Sequence, residues 1–503
     1  MLLALLFLAT ASLSDGGVED ESIDAGEPEP VLHLAAPLPG PSVEAPAPQK
    51  TAEPEKRAPP PPANGTAVTA TPIAAVPIPP ADAGVEPASG LSLHGAVEAD
   101  LGLFPTGFPE NGFDLMTTLH PVIGFGVGDD FGIELGPTFR IRVFDQPALN
   151  RPSDIGGFLR GADWDELSDY GQILQSLRIA KETSVFHLRL GPQRKKSLGL
   201  GHLLWRYNNQ ANPDYHPAGA SSALRVGPIR AEVFASDILG ARLFAAEVAW
   251  DIGATFSPDP AVKDRYLLAL QFAHDANLSA RPFRPDASVA PYLLPPVSLL
   301  HLDASAVLIR NAALRVMVMG GIGTRANATS DLGFLAGLTL DANVKEVGFS
   351  TRLELRKQAG GFRHGFFGPF YELQRFVDIG YRGPGLDAAI LPDGGSGFLE
   401  LRVGIGTRIS FDAAAEYFFW NRLDLDGGLS IALFEDWFFL TARTTILGIA
   451  QAPRFAFTAG LRWRLFPSFY VLGEGGTVLF PQTDGSLIRG ISFSAGVGVD
   501  FER

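Results

Sequence analysis

Cysteine is absent from the 503 residues. Its absence excludes disulfides, thiolate metal sites, a cysteine nucleophile and a lipid-modified N-terminal cysteine. No apolar run of about 18 residues occurs beyond the first few positions, so a bundle of membrane-spanning helices is not expected. Basic blocks are missing too, and nucleic acid is not an expected partner. There is no Gly-x-Ser-x-Gly elbow, no HExxH pair and no phosphate-cradling glycine loop. The 9 histidines are scattered along the chain. No enzyme is expected. Only a hydrolase at the rim of a barrel, built from distant strands, would escape such a search. No cofactor is called for.

Glycine (56) and phenylalanine (36) are abundant instead. Their setting is period-two alternation. Near the C-terminus, Ile491, Phe493, Ala495, Val497, Val499 and Phe501 interleave with Ser492, Ser494, Gly496, Gly498 and Asp500. A strand alternates in this way when one face meets an apolar medium and the other meets water. The stretch IRGISFSAGVGVDF resembles the closing strand of Gram-negative outer-membrane β-barrels. That resemblance implies a protein embedded in outer-membrane lipid.

The same alternation starts at residue 91. Leu93, Val97, Ala99 and Leu101 oppose Ser92, His94, Ala96, Glu98 and Asp100. Ile133, Leu135, Phe139, Ile141 and Val143 oppose Glu134, Thr138, Arg140 and Arg142. Short links recur near 128–130, 180–184, 227–230, 310–313, 341–345, 410–413, 434–437 and 466–468, and longer ones at 145–169, 193–220, 274–297 and 357–396. Short turns on the periplasmic side and long loops outside are the barrel pattern. The expected fold is all-β: a large closed antiparallel transmembrane β-barrel of about 18–20 strands, best count 20, spanning 91–503.

Two segments precede it. Residues 1–14 begin with the apolar run MLLALLFLATASL and read as a signal peptide, although no basic residue precedes that run. Residues 15–90 are rich in Pro and Ala and hold 12 acidic and 3 basic side chains. Such a segment buries too little apolar surface to fold and is expected to be a disordered periplasmic spacer. Contact with peptidoglycan has no supporting motif. Assembly into a homo-oligomer is left open.

The candidate lumen-lining residues are Arg140, Arg142, Arg178, Arg189, Arg352, Glu354, Arg356, Glu400, Arg402, Arg408, Arg443, Arg462 and Arg464. A charge facing hydrocarbon at mid-depth costs about 2–4 kcal/mol, so these rows are expected to face inward. They can set a field that selects solutes, or form Arg–Glu ladders that stiffen the wall. The arginine surplus suggests a mild preference for anionic solutes.

The segment 193–220 is the candidate constriction. Arg194, Lys195 and Lys196 are followed by Trp205, Arg206, Tyr207, Asp214, Tyr215 and His216. Rings that stack and polar groups that hydrogen-bond suit small polar solutes. FHLRLGPQ and the later LGLGHLL resemble the Gly-x-Gln strand of alginate-export and related porin-type barrels, a likeness that transfers no site. Asp163, Asp165, Glu166 and Asp169 could hold a hard cation such as Ca²⁺, but their spacing is not that of an EF-hand, and a solvated acidic loop is favoured. The aromatics of 362–371 are expected to pack an inward-folded loop or lie at the membrane interface. Trp420, Trp437, Phe438, Phe439 and Tyr470 are read as interfacial belts.

The function expected from sequence is an outer-membrane, porin-like channel for diffusion of small polar solutes. The alternatives are a non-conducting structural or adhesion barrel plugged by its loops, and an export conduit for an anionic polysaccharide.

Overall fold

The alternating segments become strands of one antiparallel sheet that closes on itself in the computed structural model. The structure describes residues 90–502 apart from positions 106–112, 129, 146–157, 212–214, 241, 260, 277–295, 327, 370, 373–391, 435–436, 451–453 and 482–486. The expected signal peptide and the spacer up to residue 89 lie outside the described residues.

In chain order the strands are β1 (Leu91–Pro105), β2 (Phe113–Val127), β3 (Phe131–Leu135), β4 (Phe139–Asp145), β5 (Leu174–Ile179), β6 (Phe186–Gly191) and β7 (Gly219–Val226). Then come β8 (Ile229–Ala235), β9 (Leu243–Asp251), β10 (Tyr266–Asp275), β11 (Val297–Arg310), β12 (Leu314–Arg325), β13 (Ala328–Val344) and β14 (Val347–Gln358). The last are β15 (Gly394–Ile405), β16 (Ile409–Phe418), β17 (Arg422–Leu433), β18 (Phe438–Ile449), β19 (Arg454–Phe466), β20 (Phe469–Pro481) and β21 (Leu487–Glu502).

These 21 segments make a 20-strand barrel, because β3 and β4 are two halves of one stave. Both halves pair with β2, one at each end of it. The break between them holds Pro137, which has no N–H to donate to a ladder. The side chains of His120 and Gln175 bond the Gly136 carbonyl there, at 3.1 and 2.7 Å. Closure is made by β1 against β21, from His94↔Glu502 to Leu103↔Phe493. Among the described residues no edge strand is left, as a wall in lipid requires.

Pairing fixes which row faces in. Glu98 pairs with Gly498 and His120, and Asp100 with Gly496 and Thr118, so these residues share the inner row. The opposite row of β21, from Ile491 through Phe501, is exposed on the outside. Leu353, Leu355, Leu399 and Phe411 do the same on β14–β16. This is the exterior of a membrane-spanning barrel.

The chain enters β1 and leaves β21 at the same rim. The short turns lie at that rim, joined by a longer link between β9 and β10 that carries one short helix, α1 (Ile252–Phe256). Two turns differ from the sequence expectation. The β13–β14 link is 345–346, since Asp341 to Val344 remain in the strand. The β15–β16 link is 406–408, not 410–413, and Gly406 in it takes the left-handed conformation (φ +53°) that a tight reversal needs. Arg408 therefore sits exposed in that turn and not on the lumen wall.

Candidate functional site

Two segments from the opposite rim fold into the barrel. The first is a hairpin within 193–211. Lys196 and Tyr207 exchange backbone hydrogen bonds at 2.9 and 2.8 Å, and Leu198 N donates to Leu204 O at 3.1 Å. Its tip needs Gly199 (φ +53°), where a Cβ would overlap the Glu247 carboxylate. The second segment is 359–372. It runs parallel to the hairpin's returning arm, with Phe367 N bonded to Leu203 O (3.0 Å) and Trp205 N to Phe367 O (3.1 Å).

The wall dictates this insertion. On β8–β11 the inner row carries Phe234, Leu243, Ala245, Ala273, Val297 and Leu299, which an aqueous lumen would leave wet. Leu198, Leu203, Leu204, Tyr207, Phe362, Phe367 and Tyr371 cover them, and all are buried in one cluster. At about 25 cal/mol per Å² of apolar surface removed from water, this burial holds the two segments in. Of the two placements expected for the 362–371 aromatics, these three take the inward one; Phe370 lies outside the described residues.

Charge fixes the hairpin across the lumen. Arg206 meets Glu400 on β15 (3.0 Å), Asp412 on β16 (2.6 Å) and Asp426 on β17 (2.6 Å). Burial works against its charge, but the three carboxylates outweigh it and hold its pKa above the ordinary arginine value. Lys195 reaches the other oxygen of Asp412 (2.7 Å), and Lys196 pairs with Glu232 on β8. Arg352 donates to the Leu200 carbonyl at the tip. Tyr207 OH bonds Glu372, and Tyr371 OH bonds Asp275 on β10 at 2.5 Å. Trp205 stands edge-on to Phe398.

Behind the hairpin, the inner rows of β14–β17 form an ion-pair lattice. Arg356 joins Glu354 (2.7 Å) and Glu416 (2.8 Å). Arg352 lies 3.3 Å from both Glu354 and Glu400, and Arg402 pairs with Glu400 at 2.8 Å. Arg443 on β18 reaches Asp426 at 3.4 Å.

On the remaining arc, Arg142 pairs with Asp114 (2.9 Å) and Arg464 with Asp500 (2.5 Å). Arg189 pairs with Glu182 near the rim (2.6 Å). Among the described residues Arg178 and Arg462 have no carboxylate partner, although Arg462 lies over the Tyr470 ring. Tyr470 is not interfacial: it is buried on the inner row, with its hydroxyl 2.6 Å from Glu98.

The structure divides the other constriction candidates. Arg194 is exposed. Tyr215 is buried, its hydroxyl 3.0 Å from Asp237. His216 packs against the 161–173 turns with Nε2 3.4 Å from Asp163. Asp214 lies outside the described residues.

The acids of this loop are divided, and three of the four are engaged by neighbouring groups. Asp163 is buried between Arg140 (2.8 Å) and Arg160, and these cations outweigh burial and hold its pKa far below the usual carboxylate range. Asp169 is buried and accepts the backbone N–H groups of Glu166 (3.0 Å) and His216 (3.1 Å), and burial raises its pKa to about 7. Glu166 pairs with Arg242 at 2.8 Å, and Asp165 is exposed.

Sequence reading missed one cluster. His202 of the hairpin inserts between the inner-row residues Asp303 of β11 and Glu354 of β14. Its Nδ1 lies 2.5 Å from Asp303 and its Nε2 3.1 Å from Glu354. Burial disfavours the imidazolium, but these two bonds win and raise its pKa. His301, two positions before Asp303, and His364 of the second segment complete the group. Burial, helped by the Arg356 charge, holds His364 well below the ordinary histidine value. These residues come from four separate elements; Glu354 was expected on the lumen wall and His364 in the 362–371 cluster, but nothing in the sequence joined them to His202, His301 and Asp303.

No protein-family model matches the chain, and no curated protein matches it. Among solved structures it is similar to CdiB from Acinetobacter baumannii, at 9% identity and a TM-score of 0.27, covering 81% of this chain and 60% of that one. It is similar to the ferric enterobactin receptor of Pseudomonas aeruginosa, at 8% identity and a TM-score of 0.33, covering 83% and 81%. It is similar to the outer membrane protein opdK of the same organism, at 9% identity and a TM-score of 0.35, covering 82% and 99%. These are likenesses between barrels and bear on neither function nor kinship.

Proposed function

We propose that the protein is an outer-membrane channel for small polar solutes, narrowed to one side of its bore by the in-folded hairpin. The observation that carries this reading is the asymmetry of the lumen. Hairpin and second segment are anchored chiefly to the wall from β8 to β17, while Ala211 at the end of the first segment packs against Leu479 of β20. On the remaining arc, inner-row polar groups stay wet: the His94 and Glu134 side chains are each 39% exposed, and Thr458 and Glu474 are exposed as well. An aqueous path along β18–β21 and β1–β5 needs no cofactor, and its width and charge set the rate.

The arginine surplus does not survive as free charge. Arg352, Arg356, Arg402 and Arg443 are each met by carboxylates. Acids on the open arc, Glu98, Glu134 and Glu474, balance the unpaired Arg178 and Arg462. Strong anion selectivity is not expected. An export conduit for a polyanion, which needs an unbroken free basic ladder, is set aside.

The second reading is a non-conducting barrel, favoured by the dry packing of Leu198, Leu203 and Leu204 beneath the hairpin. Single-channel conductance of the refolded protein in a planar bilayer separates the two. Stable open steps support the channel. Silence from folded, heat-modifiable protein refutes it.

A further inference from the structure

We propose that His202, His301 and Asp303 bind one divalent transition-metal ion of the zinc class, and that this ion clasps the in-folded hairpin to the barrel wall. The inference rests on the geometry of the insertion and not on whether the bore conducts. One ligand atom from each of the three residues lies within 4.8 Å of the others, and all three residues are buried. His301 and Asp303 are successive inner-row residues of one strand, so the wall presents them together. His202 arrives from the hairpin.

The second observation is a set of buried ring nitrogens without a well-aligned hydrogen bond. His301 is 1% exposed, and neither of its ring nitrogens makes a hydrogen bond. Its Nδ1 stands 3.0 Å from Asp303 Oδ1 but out of line for one. His364 is 5% exposed with both nitrogens equally unpartnered, and its ring centre is 5.4 Å from that of His301. Buried polar groups in folded proteins are generally paired, and a metal ion is one such partner. Room for these rings is made by glycines on the facing strand. A Cβ at Gly321 would meet His301 Cε1 at 2.4 Å, and one at Gly323 would meet the rings of Phe362 and His301.

The outer contacts are those of a metal-binding histidine. Glu354 holds His202 Nε2 at 3.1 Å, which orients the ring and leaves Nδ1 for the ion. Gln271 donates to Asp303 Oδ2 at 2.8 Å, leaving Oδ1 for the ion. Two imidazoles and one carboxylate suit Zn²⁺ and its transition-metal neighbours and are poor for Ca²⁺ or Mg²⁺. Binding displaces the proton shared between His202 Nδ1 and Asp303 Oδ1, and that proton leaves to solvent. His364 stands beside the site, outside the three residues whose ligand atoms converge.

The test uses the refolded full chain, stripped with a chelator and titrated with Co²⁺, then Zn²⁺. One equivalent of Co²⁺ should give visible ligand-field bands that Zn²⁺ bleaches. His301→Gln and Asp303→Asn should each weaken binding at least tenfold, and the control His187→Gln should bind as the wild type does. A folded wild type that shows no bands and no heat of Zn²⁺ binding overturns the site, as do variants that bind unchanged. If neither variant folds, the wild-type titration decides alone. The clasp is read separately. In an otherwise cysteine-free chain, Leu200→Cys at the hairpin tip should react with a thiol reagent several-fold more slowly when Zn²⁺ is bound. Equal rates with and without bound Zn²⁺ overturn the clasp.

Discussion

Arg206 and Asp426 are 220 positions apart in the chain and 2.6 Å apart in the structure. The contact is made from a strained backbone, since Arg206 sits at φ +48°. A non-glycine residue in that region costs about 1–3 kcal/mol and persists only where its surroundings over-determine it. Here three carboxylates do so. Lys195, which shares Asp412 with Arg206, is also left-handed at φ +54°.

Replacing Arg206 by Met should therefore release the hairpin. The change takes one cation from buried Glu400 and Asp426, which keep Arg352, Arg402 and Arg443, so the loss is at most the about 3–5 kcal/mol of a broken buried pair. Hydrogen exchange at the Leu198 and Tyr207 amides should speed up markedly while the β1–β21 closure stays protected. Unchanged protection of the hairpin would mean that apolar packing alone holds it.

Gly199→Val tests the tip. A branched side chain at φ +53°, aimed at Glu247, costs about 1–2 kcal/mol from backbone conformation alone and more from overlap. The expected result is a larger or noisier single-channel conductance with the barrel intact. A conductance identical to wild type would separate the tip from the restriction.

Stability of the 161–173 segment should fall as pH rises. Asp169 has a folded pKa of about 7, above the unfolded value of about 3.9, so the folded state binds its proton more tightly. That contribution is fully present below about pH 4 and is lost as pH rises through about 7, with a size of at most about 4 kcal/mol. The heat-modifiability midpoint should drop between pH 5 and pH 8 in the wild type and drop less in Asp169→Asn. Parallel pH profiles for the two proteins would overturn the assignment.

Selectivity should answer to the open arc and not to the ladder behind the hairpin. Arg462→Gln should move the reversal potential in a salt gradient toward cation preference, and Glu474→Gln toward anion preference, each by a few millivolts. Arg402→Gln, remote from the open arc and paired with Glu400, should move it less. A dominant effect of Arg402 would place the solute path on the other wall.

The barrel was legible because its code is local. Each strand announces its two faces by alternation, and each terminal-rim turn breaks that pattern within a few residues, so the count of staves could be made. The placement of Arg408 failed because Gly406 turns the chain before the polar Ser410 that suggested the bend. The split at Pro137 left the alternation on both sides in phase and therefore unseen. The site was legible only in parts. Lys195, Lys196, Trp205, Arg206 and Tyr207 carry a palette that stands out within one loop. Their partners Asp412 and Asp426, and the meeting of His202 with His301 and His364, depend on which staves face each other across the bore, and no spacing along the chain encodes that.

The reach of the hairpin has a consequence for biogenesis. It precedes most of its anchors in the chain, and Asp412 and Asp426 are emplaced only when β16 and β17 join the wall. Until then the apolar inner row of β8–β11 has no secured cover, and the loop's cations have no fixed counterparts. Docking is a late, long-range event that rewards only a nearly finished wall. A misregistered or incomplete wall therefore does not offer the hairpin its full set of anchors.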